Sequence, residues 1–266
     1  KPLDVAGIVA LSLLLTALVF GLSSIDSKAL AESVVSWRVA PALALVAILV
    51  PIFWRIEKRA LDPIIRPGLL KSRPVVTASL IGTGIGAVQS AGSFYPALAV
   101  AAISVSQSTA SWMLLPGVLG ATIASPIAGR LINVIGTRTL VTVSLTMVVI
   151  SVLTFGLAPI SFATFIAASV TGSIGLGGVL GAPLRLLILD NSLPSERGAA
   201  QGLLSNFTSV GRLLGAAFVG SIAASAGGGT VGYQAAFVGM AVVAAVMVAL
   251  GLSLKPPSMK PIPSIS

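Results

Sequence analysis

The sequence predicts an all-α membrane protein with eight transmembrane helices, and three observations predict it. Apolar residues make up 56% of the chain and charged residues 9%, with a mean hydropathy of +1.06, far outside the mix of a water-soluble domain. The apolar residues fall into runs close to the ~20 residues that a helix needs to cross a bilayer. Positive charge gathers in alternate loops, the bias expected when basic residues stay on the cytoplasmic side.

The segments run from Val5 to Leu22, Val39 to Phe53, Val75 to Ile103, Ala110 to Ala128, Leu140 to Leu157, Ile160 to Leu189, Ala199 to Ala226 and Gly232 to Leu254. The second is short for a span and is expected to lean on Trp37 and Trp54, with Arg38 and Arg55, as interfacial anchors. Arg55, Lys58, Arg59, Arg66, Lys71 and Arg73 lie between the second and third segments, Arg130 and Arg138 between the fourth and fifth, and Arg185 and Arg197 around the end of the sixth. The tail adds Lys255 and Lys260, while the opposite loops hold only Lys28 with Asp26 and Glu32. That asymmetry places both ends in the cytoplasm. The chain divides into a two-helix transmembrane insert (1–54), a basic cytoplasmic loop (55–74), a six-helix bundle (75–254) and a cytoplasmic tail (255–266). It opens on Lys1, with Asp4 at the mouth of the first apolar run, and reads as part of a longer protein rather than as a signal peptide.

Composition also excludes function classes. The net charge of +9 is spread between apolar runs and forms no basic face with interleaved aromatics, so no nucleic-acid partner is expected. There is no cysteine and no histidine, which removes disulfides, thiolate and imidazole chemistry and the usual zinc ligand sets. The serines and threonines lack a general-base partner. No metal, cofactor or enzyme activity is expected.

The third and sixth segments each run near thirty residues, roughly 43–45 Å at 1.5 Å per residue, more than a ~30 Å hydrocarbon core requires. Gly82, Gly84, Gly86, Gly92 and Pro96 interrupt the third; Gly172, Gly175, Gly177, Gly178, Gly181 and Pro183 interrupt the sixth. They head two groups of three helices in opposite orientation, the pattern of an inverted repeat in which such broken helices flank a substrate path. Glycine is common in membrane helices, so the matching length, position and polarity carry this reading, not the glycine count.

Polar residues also fall on faces. Ser79, Thr83, Gly86, Ser90 and Ser93 share one face of the third segment, with Gln89 beside it. Ser161, Thr164, Ala168, Thr171, Gly175, Gly178, Ala182 and Arg185 make a stripe on the sixth, and the seventh offers Gln201, Ser205, Thr208 and Arg212. Such faces turn toward other helices or toward a cavity. Gly211-x-x-x-Gly215 is a packing signature, so the face of the seventh segment is assigned mainly to helix contact, while for the stripes of the third and sixth segments packing and cavity lining are equally open. Gln89, Ser90, Ser93, Tyr95 and Thr171 are the candidate substrate contacts. Arg212, fifteen residues beyond Arg197, is an intramembrane charge. Its insertion costs about 2.5–3.5 kcal/mol, which makes it a functional candidate by default, but with no carboxylate at similar depth the structural reading, a bond to carbonyls of a neighbouring helix, is preferred. Every acid lies near an end or in a loop, so this stretch of chain has no evident proton-coupling carboxylate.

The residues from Gly129 to Arg138 resemble the cytoplasmic loop motif G-x-L-x-D-R-x-G-R-R of the major facilitator superfamily. Gly129, Leu131, Gly136 and Arg138 match it, while Asn133 replaces the acid and Val134 the first arginine. Glu57-Lys58-Arg59 with Pro63 and Arg73-Pro74, Arg197-Gly198-Ala199-Ala200-Gln201-Gly202 and Arg212-x-x-Gly215 are similar to segments of its fourteen-helix drug:proton antiporter branch. The resemblance implies two linker helices plus a six-helix C-terminal bundle of inverted three-helix repeats. It also implies a gating role for Gly129, Arg130, Leu131, Gly136 and Arg138. The implied activity is alternating access that exports small lipophilic or amphipathic compounds in exchange for protons across a bacterial inner membrane. The implied partner is an N-terminal bundle, outside this sequence, that supplies the coupling acid. The branch's antiporter signature, G-x-x-x-G-P-x-x-G-G, is not present. A nutrient carrier of the same fold and a truncated, non-transporting membrane protein acting through a partner are the rival readings.

Overall fold

The computed structural model describes residues 5–24, 36–37, 39–59, 68–69 and 72–254. Among the described residues all regular structure is helical, and seven helices are long and apolar enough to cross a membrane. Exposed Val118, Leu119, Ile123, Val242 and Val246 form outward surface that suits lipid rather than water. The protein is an integral, multi-pass membrane protein. The expected charges at Asp4, Asp26, Lys28, Glu32, Arg38, Arg66, Lys71, Lys255 and Lys260, and the whole tail 255–266, lie outside the described residues.

Helix α1 (Val5–Ser23) and helix α2 (Val39–Arg59) form a hairpin. Gly21 lets the end of α1 meet Ala42 and Leu43 at the start of α2. The expected boundary at residue 54 falls inside α2, which carries its helix on to Lys58 and Arg59. Cations in a last turn favour that extension through the helix dipole, and Lys58 Nζ lies 5.7 Å over the Trp54 ring.

The long third and sixth segments share one construction. Helix α3 (Arg73–Ala91, 19 residues) ends in a 3-10 turn, Gly92–Phe94, and Pro96 restarts the chain as α4 (Tyr95–Ile103). Helix α7 (Phe162–Leu180, 19 residues) breaks at Gly181, and Pro183 restarts it as α8 (Pro183–Asp190). Proline suits a first turn because its missing N–H would be unpaired there in any case. At the start of α7, Ser161 and Thr164 form a reciprocal capping box. It satisfies N–H groups that an apolar start would leave orphaned.

Between these elements lie helix α5 (Gln107–Trp112), capped by Ser106, and helix α6 (Leu115–Leu157). The loop expected from Gly129 to Arg138 is corrected here. These residues are helical, and the departure is confined to Gly136, with φ 77° and ψ 159°. Helix satisfies the backbone polar groups of this mainly apolar stretch, and only glycine adopts that conformation freely. The chain turns back at Gly136, because both halves of α6 pack along α7 in opposite directions. Gly117 and Ala121 of the first half meet Ser169 and Gly177, whereas Ser151 and Ser144 of the second meet Gly172 and Gly178. Helix α9 (Arg197–Ser225) and helix α10 (Gly229–Leu252) follow, joined through Gly227, Gly228 and Gly229, all at positive φ.

The core is apolar and aromatic. Tyr95 stacks on Phe155 with centroids 4.2 Å apart and lies 5.4 Å from Phe237. Phe155 and Phe165 meet edge to face at 5.4 Å. Thus α4, α6, α7 and α10 converge on one ring cluster, and such contacts add about 0.5–1.5 kcal/mol each beyond area burial.

Candidate cleft and its intramembrane arginine

Two parallel helix seams position the polar groups. In the first, α3 runs beside α9: Gly86 lies on the Thr208 carbonyl and the Arg212 backbone, Gly211 on the Thr83 carbonyl and Gly215 on Ala87. In the second, the first half of α6 runs beside α7: Gly117 faces Ser169 and Ser173, and Gly177 faces Ala121. The stripe of the third segment is therefore largely a packing face. Ser79 is buried, Thr83 Oγ1 donates to the Ser79 carbonyl at 3.1 Å, and Gly86 closes on α9. On the sixth segment Gly175 and Gly178 pack on Ser144, and the Ala168 carbonyl accepts a 2.7 Å bond from buried Ser151.

Close approach at the first seam brings Arg212 to Gln89, where its Nε donates to Gln89 Oε1 at 2.9 Å. The partner is a neutral amide on another helix, so the bond orients the guanidinium without cancelling its charge. Arg212 is otherwise exposed and lines a cleft of about 520 Å³ together with Arg185, Gln201, Ser205 and Ser209. Leu180, Leu184 and Leu204 supply its apolar wall. Gln201 Nε2 donates to the Arg185 carbonyl at 3.1 Å, which ties α8 to α9 at the other end.

The structure places the remaining expected site residues as follows. Gln89 reaches the cleft through Arg212. Ser90 donates to the Ala87 carbonyl at 2.8 Å and borders Gly215; Ser93 is exposed beside the α3–α4 break. The Tyr95 ring packs in the aromatic cluster, and Thr171 donates to the Ala167 carbonyl of its own helix at 2.8 Å. Gly129 lies nearest Ala182, at the α7–α8 break. Arg130 is exposed, Leu131 and Arg138 are half-buried, and Gly136 makes the turn. The face of Gln201, Ser205, Thr208 and Arg212, assigned from the sequence mainly to helix contact, lines the cleft, and Thr208 is also buried in the seam against Gly82 and Gly86. Sequence reasoning missed Ser209, four residues from Ser205; it placed Arg185 at the foot of the sixth segment's stripe but did not name it among the candidate contacts.

A family model described as Major Facilitator Superfamily matches residues 75–265. The chain is 30% identical over 221 residues to the Uncharacterized MFS-type transporter YfiU of Bacillus subtilis (strain 168), covering 80% of this chain and 42% of that protein. It is 27% identical over 222 residues to the Multidrug transporter protein MdtP of the same organism, covering 82% of this chain and 40% of that protein. The chain thus spans about two-fifths of the length of these relatives.

Proposed function

The chain belongs to the major facilitator superfamily, and we propose that it forms the C-terminal part of a secondary transporter that exports lipophilic or amphipathic compounds in exchange for protons. In this reading α6 counts as two spans, because its halves run oppositely along α7, which gives eight. The inverted repeat is supported by the paired 19-residue helices α3 and α7, each followed by a break and a proline-started helix. The seams support it too, since the first helix of each three runs parallel to the second helix of the other three.

The observation that carries the proposal is the cleft: an apolar-walled opening that ends on an arginine about halfway along a membrane-length helix. Charge inside a span is retained mainly where function needs it. The bundle would rock against a second bundle supplied by the rest of the protein, which would also contribute the coupling acid. The turn at Gly136, with Gly129, Arg130, Leu131 and Arg138, would close one face during that motion. Ser90, Ser93, Tyr95 and Thr171 would border the path, and Gln89 would set Arg212 within it. Both ends of the chain would lie in the cytoplasm, in a bacterial cell membrane. The similarity to a protein named as a multidrug transporter favours lipophilic cargo.

The test is the full-length protein in proteoliposomes with a panel of cationic, neutral and anionic fluorescent amphipaths, with and without a pH gradient. Gradient-dependent movement of any of them is expected. A folded protein that moves none of them under either condition would overturn the reading.

A further inference from the structure

We propose that the cleft receives the acidic headgroup of an anionic amphipath, with Arg212 as its deep contact and Arg185 at its mouth. The proposal rests on the transporter reading and names the substrate class of that same site. Two guanidinium groups line the opening, and its other polar lining is neutral, being hydroxyl and amide groups. The acids among the described residues are Glu57, Asp190 and Glu196, and none of them lines it.

Arg212 donates through Nε to Gln89, so the remaining guanidinium N–H groups stay available on the cleft side. They present the planar fork that pairs with a carboxylate, sulfonate or phosphate through two parallel bonds. Gln89 belongs to α3 and Arg212 to α9, so the seam itself holds the fork in place.

The second arginine gives the cleft a direction. Gln201 is bonded to the Arg185 backbone, and Arg212 lies eleven residues further along α9, about 16 Å at 1.5 Å per residue. Ser205 and Ser209 fill the interval on the same face. An acidic group entering at Arg185 therefore meets hydroxyl donors before it reaches Arg212. Leu180, Leu184 and Leu204 provide apolar wall for a hydrocarbon portion. A cationic amphipath would meet two like charges, which a partly dewatered site makes more repulsive than bulk water does.

The test uses the full-length protein in lipid nanodiscs and measures equilibrium binding of dansyl-labelled undecanoic acid and of its methyl ester, which differ chiefly in charge. The wild-type protein should bind the acid about tenfold or more tighter than the ester, the scale of one charge-assisted hydrogen bond. Arg212→Gln should bring that preference close to one, Arg212→Lys should keep part of it, and Arg185→Gln should lower it less. Equal binding of acid and ester by the wild-type protein would overturn the proposal, as would a preference that survives both glutamine variants. Should Arg212→Gln fail to fold, the wild-type comparison and Arg185→Gln still decide. Binding is read without transport, so the two readings fail separately. An arginine-dependent acid preference in a protein that moves no probe keeps this site and removes the exporter. Movement of probes without such a preference does the reverse.

Discussion

The two parallel seams are both lined with glycines yet differ in what those glycines meet. On the α3–α9 seam three glycines meet backbone, Gly211 on Thr83, Gly86 on Thr208 and Gly215 on Ala87, while Gly82 meets the Leu204 and Thr208 side chains. On the α6–α7 seam Gly177 meets the Ala121 backbone, and elsewhere side chains share the contact: Ser173 lies against Gly117, Ile174 against Gly120 and Ser125 against Gly181. A side chain can turn aside and a carbonyl in a helix cannot, so the first seam is the more fixed in spacing, at three of its glycines, and the second has give away from Gly177. The fixed seam is also the one that carries the intramembrane charge. A guanidinium held by one amide across two helices needs helices that do not drift.

The largest expected effect comes from spoiling the fixed seam. Gly211→Ala puts a methyl group onto the Thr83 peptide, so the helices must separate. Overpacking of this kind costs about 1–3 kcal/mol, and we expect the upper part of that range. Unfolding of the full-length protein in bicelles, followed by steric trapping, reads the change, and the Arg212–Gln89 bond should lengthen with it. If Gly211→Ala and Gly120→Ala cost the same, the distinction between the seams is wrong.

Gly136→Ala comes next. At φ 77° and ψ 159° alanine is strained by about 1–3 kcal/mol, and the strain falls on the reversal that lets the first half of α6 lie parallel to α7. The same unfolding measurement should show a loss of about 2 kcal/mol. A neutral outcome would mean that the turn relaxes without disturbing the second seam.

Much of this was legible in sequence because bilayer thickness fixes span length and because glycine and proline mark breaks. The interruptions at Gly92 to Pro96 and Gly181 to Pro183 coincide with the ends of α3 and α7. The region from Gly129 to Arg138 was harder. Its glycines and arginines suggest a loop, but Leu131, Ile132, Val134 and Ile135 keep it helical, and a single φ value makes the turn. The partner of Arg212 was hidden for another reason. Gln89 is 123 residues away, and a search for a carboxylate passes over a neutral amide. Tyr95 stands at a proline break, where a cavity-facing aromatic is a natural reading, yet its ring lies against Phe155 and Phe237.

The smallest effect sharpens the comparison most. At Gly117 a methyl group would meet Ser173 Oγ at 2.8 Å and the Ser169 carbonyl at 3.1 Å, so Gly117→Ala should cost about 1 kcal/mol, at the low end for overpacking. Ser173→Ala alone should fall within about 0.5 kcal/mol of neutral. Combined, the two should cost less than their sum, because trimming the hydroxyl removes the nearer of the two clashes, and a double-mutant cycle measures that coupling directly. At Gly211 no such rescue exists. Gly211 faces the Thr83 carbonyl and its neighbouring backbone atoms, and Thr83→Ala leaves all of them in place. Gly211→Ala with Thr83→Ala should therefore be additive. Coupling at Gly117 with additivity at Gly211 is the outcome expected if side-chain give separates the seams, and additivity at both would leave the glycines as equivalent spacers.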